Sequence, residues 1–217
     1  MKHTELMAEH VAPADIERTS FSIIARELAE RGKTLDPVLA PVIMRVIHTT
    51  ADFEYADTLV FSDHVIERIS QALRDGADIV TDTNMALAGI NKTVLSRYGG
   101  SARCFMADPD VAQAAAQNGT TRAAASMRKA AALSRPVVFA VGNAPTALLE
   151  LYALMQEGFR PEAVIGVPVG FVNVVAAKEL IMTAGAPYIV NTGRKGGSTV
   201  AAAICNAVLY AMDAAHV

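Results

Sequence analysis

The fold is decided by residues 136–168, which run PVVFAVGNAPTALLELYALMQEGFRPEAVIGVP. Two short apolar runs, PVVFAVG and EAVIGVP, flank a segment that has the length and the apolar spacing of a helix. Neither run alternates apolar with polar residues, which is typical of parallel strands that are covered on both faces. The stretch therefore predicts one strand-helix-strand unit of a parallel sheet.

The same alternation of apolar runs and helical segments continues on both sides of this unit. Three further apolar runs, ADIVTD, ARCFMAD and PYIVNTG, begin at residues 77, 102 and 187, and segments of helical period separate them. No composition break or low-complexity linker interrupts the pattern. We therefore predict an α/β fold, a single doubly wound domain over residues 1–217 with a mostly parallel sheet and helices on both faces. Within it, residues 1–18 are expected to form a mobile N-terminal segment.

The charge composition limits the classes of partner. The chain has 19 Lys and Arg against 22 Asp and Glu, a formal net charge of -3. This balance excludes a globally basic nucleic-acid binder and a membrane-surface protein, so an anionic ligand must meet a local cluster of cations. Charged residues make up 19% of the chain, below the roughly 25% typical of soluble domains, which predicts a large subunit interface and a homodimer.

Membrane insertion, secretion and disulfide bonding are not expected. The longest uncharged run, residues 196–212, is shorter than the about 20 apolar residues of a transmembrane helix and contains Asn206, so it predicts a buried or interface helix. The first twenty residues lack the apolar segment of a signal peptide, and we expect a cytoplasmic protein. The two cysteines, Cys104 and Cys205, lie far apart and are expected to be small buried hydrophobes.

A glycine-rich turn is the clearest candidate binding feature. In an open parallel sheet, ligands bind where strands turn into helices at the carboxyl edge. The turn GRKGGST, residues 193–199, follows a predicted strand and opens a predicted helix. Its glycines allow close approach to exposed N–H groups, and Arg194 and Lys195 add two positive charges. The turn is not a Walker A motif, because no lysine follows the glycine pair. It favours a carboxylate or phosphate ligand.

A second turn has two interpretations. In VGNAPT, residues 141–146, Asn143 suits the start of a helix and Pro145 suits its first turn. This structural role is sufficient to explain both residues. A ligand role for the N–H groups of the turn stays open.

One histidine is a candidate catalytic group. Four of the five histidines lie near the chain ends or in an exposed first helical turn: His3, His10, His64 and His216. His48 instead follows VIMRVI near the predicted C-terminus of a helix. A structural role is the commoner fate of such a histidine, and the functional alternative is a proton donor near neutral pH. Asp52, four residues later, is placed to orient it. No third ligand supports a metal site.

Seven segments occur in order from residue 19 to the C-terminal helix: TSFSII, MRVIHTTAD, VTDTNMALAGINK, TTRAAASM, AVGNAPTALLEL, IGVPVGFVNVVAAKE and GRKGGST. Together they resemble the precorrin-8X methylmutase family, also called precorrin isomerase. The resemblance implies an α/β fold with a parallel sheet, a homodimer and no added cofactor. It also implies migration of a methyl group from C-11 to C-12 of a corrin precursor in cobalamin biosynthesis. The product is hydrogenobyrinic acid, or cobyrinic acid when cobalt is present.

The resemblance also implies roles for particular residues. It places the family's catalytic histidine on His48, a substrate-contacting serine on Ser20 and a carboxylate-binding arginine on Arg122. The family's anion-binding turn falls on Arg194, Lys195, Gly196, Gly197 and Ser198. The implied partner is a corrinoid substrate with many carboxylates, with no nucleic acid, membrane or metal ligand. Ala123 and Thr192 stand where many members carry Ser and Arg.

Two questions stay open at this point. The segments INKTVLSRYGGSARCFMADPDVA and VNVVAAKELIM are more similar to the cobalt-precorrin-8 form of the family than to the metal-free form. A different class of function, a non-catalytic tetrapyrrole or sugar-phosphate binding protein on the same fold, would use the glycine turns and Arg194 and Lys195 without His48. A structural subunit would bind no corrinoid. Turnover separates these alternatives.

Overall fold

The computed structural model describes residues 15–214, and the chain divides into two compact units, Met1–Thr34 and Leu35–Val217. The first unit contains helix α1 (Ile16–Glu30), followed by Gly32 at a φ of 70°. Of the segment expected to be mobile, residues 1–14 lie outside the described part of the chain. Its last three residues, 16–18, are helical.

A sheet of six strands forms the centre of the second unit. The strands are β1 (Leu59–Phe61), β2 (Asp78–Thr81), β3 (Ala102–Cys104), β4 (Val137–Val141), β5 (Ala163–Gly166) and β6 (Tyr188–Asn191). Their spatial order is β1-β6-β5-β4-β2-β3. All neighbours are parallel except β1, which runs antiparallel to β6 with Leu59 opposite Asn191. Strands β2 to β6 lie where the apolar runs predict them, which confirms the mostly parallel sheet.

Helices surround this sheet. Those of the described second unit are α2 (Ala40–Thr50), α3 (Tyr55–Thr58), α4 (Val65–Arg74), α5 (Asn84–Gly89), α6 (Lys92–Arg97), α7 (Pro109–Gln117), α8 (Arg122–Ala131), α9 (Pro145–Gln156), α10 (Val174–Thr183) and α11 (Ser198–Ala214). Helix α9 packs between α8 and α10, whereas α11 packs on α2, α4 and α5. The uncharged run that ends near residue 212 is thus a buried helix.

Both faces of the sheet are covered, as the missing alternation in the strands predicts. Val137, Phe139 and Val141 of β4 point into a core shared with α8, α9 and α10. Because side chains alternate along a strand, Val138 and Ala140 point to the opposite face. There α4 and α11 contact β4, and these two side chains are also fully buried. The architecture is therefore doubly wound.

The strand order locates a crevice. Strand β3 lies on one side of β2, whereas β4, β5 and β6 follow on the other, so the order reverses between β2 and β4. In sheets of this kind the crevice at the carboxyl ends of the strands beside the reversal is the usual ligand position. The functional site is therefore expected at this edge of the sheet.

Candidate active site

A buried carboxylate joins the turns that follow β2 and β4. Asp82 is fully buried, and its side chain accepts N–H bonds from Gly142, Asn143 and Ala144 at 2.9, 2.8 and 2.6 Å. Burial raises the pKa of Asp82, and the three donors act in the opposite direction. Because Asp82 occupies these N–H groups, they do not have the free ligand-binding role that the sequence left open. The N–H groups of the turn thus have a structural role, and Pro145 lies in the first turn of α9 as predicted. The residue before the helix is Ala144, however, and not Asn143, and no described side chain caps this helix.

The start of α11 and the preceding Gly197 contact the turns that follow β2, β4 and β5. The hydroxyls of Ser198 and Thr83 lie 2.8 Å apart, and the N–H of Gly197 donates to the carbonyl of Val167 at 2.9 Å. A Cβ at Gly142 would collide with the backbone of Gly197 and Ser198. Only glycine permits this close approach. The predicted anion-binding turn is thus anchored at the expected edge of the sheet.

The two cations of this turn differ in their surroundings. Arg194 is exposed, its guanidinium carbon lies 5.4 Å from the ring centre of Phe171, and it forms no ion pair with any described residue. The Nζ of Lys195 donates to Asp52 at 2.6 Å and to Glu54 at 2.7 Å. These two carboxylates raise the pKa of Lys195. Lys195 is exposed but is paired with two carboxylates of its own chain, contrary to the expectation of a free cation.

The ion pair between Lys195 and Asp52 also determines where the helix end that carries His48 lies. His48 lies exposed in the last turn of α2, and Ala51 ends this helix at a φ of 54°. Asp52 follows directly, so its contact with Lys195 ties the end of α2 to the turn after β6. The helix end that carries His48 thus lies at the carboxyl edge. Asp52, which was expected to orient His48, is bonded to Lys195.

Arg122 lies at the same edge. It is the exposed first residue of α8, and the preceding Thr121 hydroxyl donates to Thr146 in the first turn of α9 at 2.9 Å. Helix α9 begins where β4 ends, so Arg122 is close to the carboxyl end of β4. Of the two departures from the family pattern, Ala123 is buried and the Thr192 hydroxyl donates to the carbonyl of Thr58 at 3.2 Å.

Ser20 belongs to helix α1 of the first unit. It is partly buried, and its Oγ donates to the carbonyl of Ile16 at 2.9 Å. Within the second unit, by contrast, the structure brings six predicted site residues and the end of α2, which carries His48, to one edge of the sheet. The six that join the end of α2 are Arg122, Arg194, Lys195, Gly196, Gly197 and Ser198.

Sequence analysis missed two buried charged residues beneath this edge. One is Asp82. The other is Lys178 on α10, which is 1% exposed and donates to the carbonyls of Gly193 and Lys195 at 2.9 and 2.8 Å. The sequence contained a sign that Lys178 is buried, because Lys178 shares the apolar stripe of its helix with Val174 and Ile181.

A cavity between α7 and α8 is a poorer candidate for binding an anion than the carboxyl edge of the sheet. Its volume is about 520 Å³. Both cations in its lining are paired, Lys129 with Asp108 and Asp110 and Arg128 with Glu150. A ligand with many carboxylates would find no unpaired cation in the described lining of this cavity.

Metal-binding clusters and membrane spans are absent from the part of the chain that the structure describes. Residues 15–214 contain no group of three or more His, Cys, Asp and Glu that could hold a metal ion. No helix in the same range has the length and apolar character needed to cross a membrane. Cys205 is buried as expected, and burial raises the pKa of its thiol to about 12. Cys104 is only partly buried.

Comparison with known proteins assigns the family. The family model for precorrin-8X methylmutase matches residues 15–211. The chain belongs to the precorrin-8X methylmutase family. Members of this family are isomerases of cobalamin biosynthesis, so the predicted family, enzyme class and pathway are confirmed.

Individual precorrin-8X methylmutases match along most of their length. The cobalt-precorrin-8 methylmutase of Salmonella typhimurium is 45% identical over 202 residues, which cover 91% of this chain and 95% of the relative. The enzyme of the same name from Priestia megaterium is 42% identical over 211 residues, 97% and 93% of the two chains. The solved precorrin-8x methyl mutase of Thermus thermophilus superimposes with a TM-score of 0.83 at 38% identity, covering 94% of this chain and 100% of that one. This structural match confirms the predicted fold class.

Proposed function

We propose that this protein moves a methyl group from C-11 to C-12 of cobalt-precorrin-8 in the cytoplasm and so forms cobyrinic acid, with His48 as the proton donor. The observation that carries the proposal is the Lys195–Asp52 ion pair, because it holds the end of the His48 helix beside an edge suited to anions. The relatives from Salmonella typhimurium and Priestia megaterium are both named cobalt-precorrin-8 methylmutases, which supports the choice of the cobalt form.

Binding of the carboxylates is assigned to the cations and N–H groups of the edge. Arg122 and Arg194 are exposed and form no ion pair with any described residue, so both are available to ring carboxylates. The N–H groups of residues 193–196 have no acceptor among the described residues, and Gly197 and Ser198 lead into the positive N-terminal end of α11. Ser20 is proposed as a further contact to the substrate. Lys195 contributes by holding Asp52 and not by direct binding.

The reaction needs positioning more than reactive groups. The bond between C-11 and the methyl carbon breaks and a bond from that carbon to C-12 forms, without net oxidation or reduction. We therefore propose that no added cofactor takes part. The enzyme fixes a flat ring and biases its electron distribution through placed charges. When cobalt occupies the ring nitrogens, the proton of His48 goes to a ring carbon or stabilises charge at the periphery. It returns to His48 after the methyl group has moved, because the isomerisation takes up no net proton.

Turnover tests this function. The purified protein should convert cobalt-precorrin-8 under anaerobic conditions without nucleotide, flavin or added metal, and the visible spectrum should follow the change. Precorrin-8 serves as the parallel substrate that reports on the metal preference. Binding of both compounds without conversion would favour a tetrapyrrole-binding protein, and lack of both binding and conversion would refute the proposal.

We also propose a homodimer. Four residues of the segment after β5 expose apolar side chains: Val169, Phe171, Val172 and Val175, with Phe171 81% exposed. Such a patch favours an interface. Light scattering at micromolar concentration is expected to give twice the chain mass of 22.9 kDa, and a monomer would contradict the proposal.

Arg194 is expected to contribute directly to substrate affinity. The Arg194→Gln variant should bind the corrinoid acid about tenfold to a hundredfold more weakly, because a charge-assisted hydrogen bond contributes roughly 1.5–3 kcal/mol. Its affinity should also depend less on salt. The matched control is Arg74→Gln, the same change at an exposed arginine in the last turn of α4, at the opposite edge of the sheet. Equal effects of the two substitutions in a titration would move the carboxylate site elsewhere.

A further inference from the structure

Lys178 is a buried cation without a carboxylate partner. It is 1% exposed, and no described acidic residue forms an ion pair with it. Its Nζ donates instead to two carbonyls of the turn after β6, those of Gly193 and Lys195. An ammonium group removed from water and paired only with neutral acceptors is costly for a fold to keep. Its position therefore needs an explanation beyond packing.

Lys178 and a second buried donor fix the orientation of the turn. Asn191 is fully buried, and its Nδ2 donates to the carbonyls of Thr192 and Lys195 at 3.1 and 3.0 Å. Three carbonyls of the turn thus point inward, toward Lys178 and Asn191. No described residue accepts a hydrogen bond from the N–H groups of residues 193–196, which leaves these donors available to an anion.

The charges around the turn make Lys178 one of its main sources of positive charge. Lys195 faces two carboxylates, Asp52 and Glu54, so this cluster carries a formal charge of about −1. The cations of the turn region that no described acid neutralises are Arg194, on a flexible exposed side chain, and Lys178, held rigidly below. Burial lowers the pKa of Lys178 to about 8, so the charged ammonium form still predominates at neutral pH.

We propose that Lys178 is a positioning residue for the substrate carboxylate bound at the N–H groups of residues 193–196, because it turns the carbonyls inward and supplies a fixed positive charge beneath these N–H groups. This inference rests on the proposed function. Lys178 touches the turn and not the substrate, so its effect is on binding more than on the chemical step.

The test compares Lys178→Met with Lys92→Met. Methionine has nearly the length of lysine but neither charge nor N–H donors. Lys92 is a matched control, because it also donates to a backbone carbonyl, that of Leu87 at 2.7 Å, but is exposed and lies outside the turn. We expect Lys178→Met to raise KM for cobalt-precorrin-8 by about tenfold or more while kcat changes by less than about threefold. Amide hydrogen exchange of Thr192 and Gly197, whose N–H groups donate to the carbonyls of Thr58 and Val167 at the two ends of the turn, should become faster. Lys92→Met should change neither quantity.

Each outcome decides the inference. An unchanged KM, or a fall in kcat alone, would overturn it, even if exchange became faster, because Lys178 would then be only structural. If the wild-type protein converts neither cobalt-precorrin-8 nor precorrin-8, the proposed function fails. Exchange at Thr192 and Gly197 then still decides whether Lys178 orders the turn. If Lys178→Met does not fold, Lys178→Gln, which keeps an N–H donor and removes the charge, replaces it and should raise KM in the same way.

Discussion

Replacing His48 by Asn is expected to lower turnover of cobalt-precorrin-8 by about 10²- to 10⁴-fold, the range usual for a positioned proton donor. The amide of Asn is polar but has no acidic proton near neutral pH. Binding should change far less, because the carboxylates are assigned to Arg122, Arg194 and the turn at residues 193–198. Initial rates and a separate titration with the product acid would distinguish the two effects.

The matched control for His48 is His64→Asn. His64 is also exposed, and it precedes α4 at a φ of 56°, a backbone conformation that Asn tolerates. Turnover of this variant should stay within about twofold of the wild type. Wild-type turnover in His48→Asn would refute the proton-donor role. Loss of binding together with turnover would make His48 a substrate anchor.

Replacing Asp82 by Ala is expected to produce a large loss of stability, about 3 kcal/mol or more. The change removes the acceptor of three N–H groups, those of Gly142, Asn143 and Ala144. Each buried donor left without a partner costs roughly 1–3 kcal/mol, and water can compensate only at the more exposed positions. Urea denaturation should show a lower midpoint with an unchanged slope. Turnover should fall as well, because Asp82 joins the turns at both sides of the crevice.

Asp63→Ala is the control for Asp82. Asp63 is exposed in the turn before α4, so its replacement should change the free energy of unfolding by no more than about 0.5 kcal/mol. Asp82→Asn keeps one carbonyl oxygen as an acceptor and should be intermediate. A midpoint for Asp82→Ala equal to that of Asp63→Ala would show that the three hydrogen bonds contribute little.

Features encoded by neighbouring residues could be predicted from the sequence. Apolar runs without alternation predict strands β2 to β6, and the absence of alternation itself predicts that helices cover both faces. The apolar stripe VIMRVI predicts α2 and places His48 in its last turn. The first strand, Leu59–Phe61, escaped prediction because it lies outside the alternation of apolar runs and helical segments that identifies the other five strands; its length of three residues is the same as that of β3.

Contacts between distant residues could not be predicted in the same way. Lys195 and Asp52 are 143 positions apart, so nothing in the local sequence reveals that Lys195 is neutralised. The same applies to Asp82, whose three donors lie about sixty positions later. Charged side chains usually lie in water, and only tertiary structure shows that Asp82 does not.

The antiparallel pairing of β1 with β6 has a consequence for synthesis on the ribosome. Leu59 leaves the ribosome long before its partner Asn191, and at about 5–20 residues per second the delay amounts to roughly ten seconds. In the last part of this interval, after β5 and before β6 has been made, β5 presents an open edge of unpaired backbone groups. Nascent chains that stall before residue 188 therefore expose a template for intermolecular strand pairing. The last step of sheet formation joins one of its earliest-made segments to its latest.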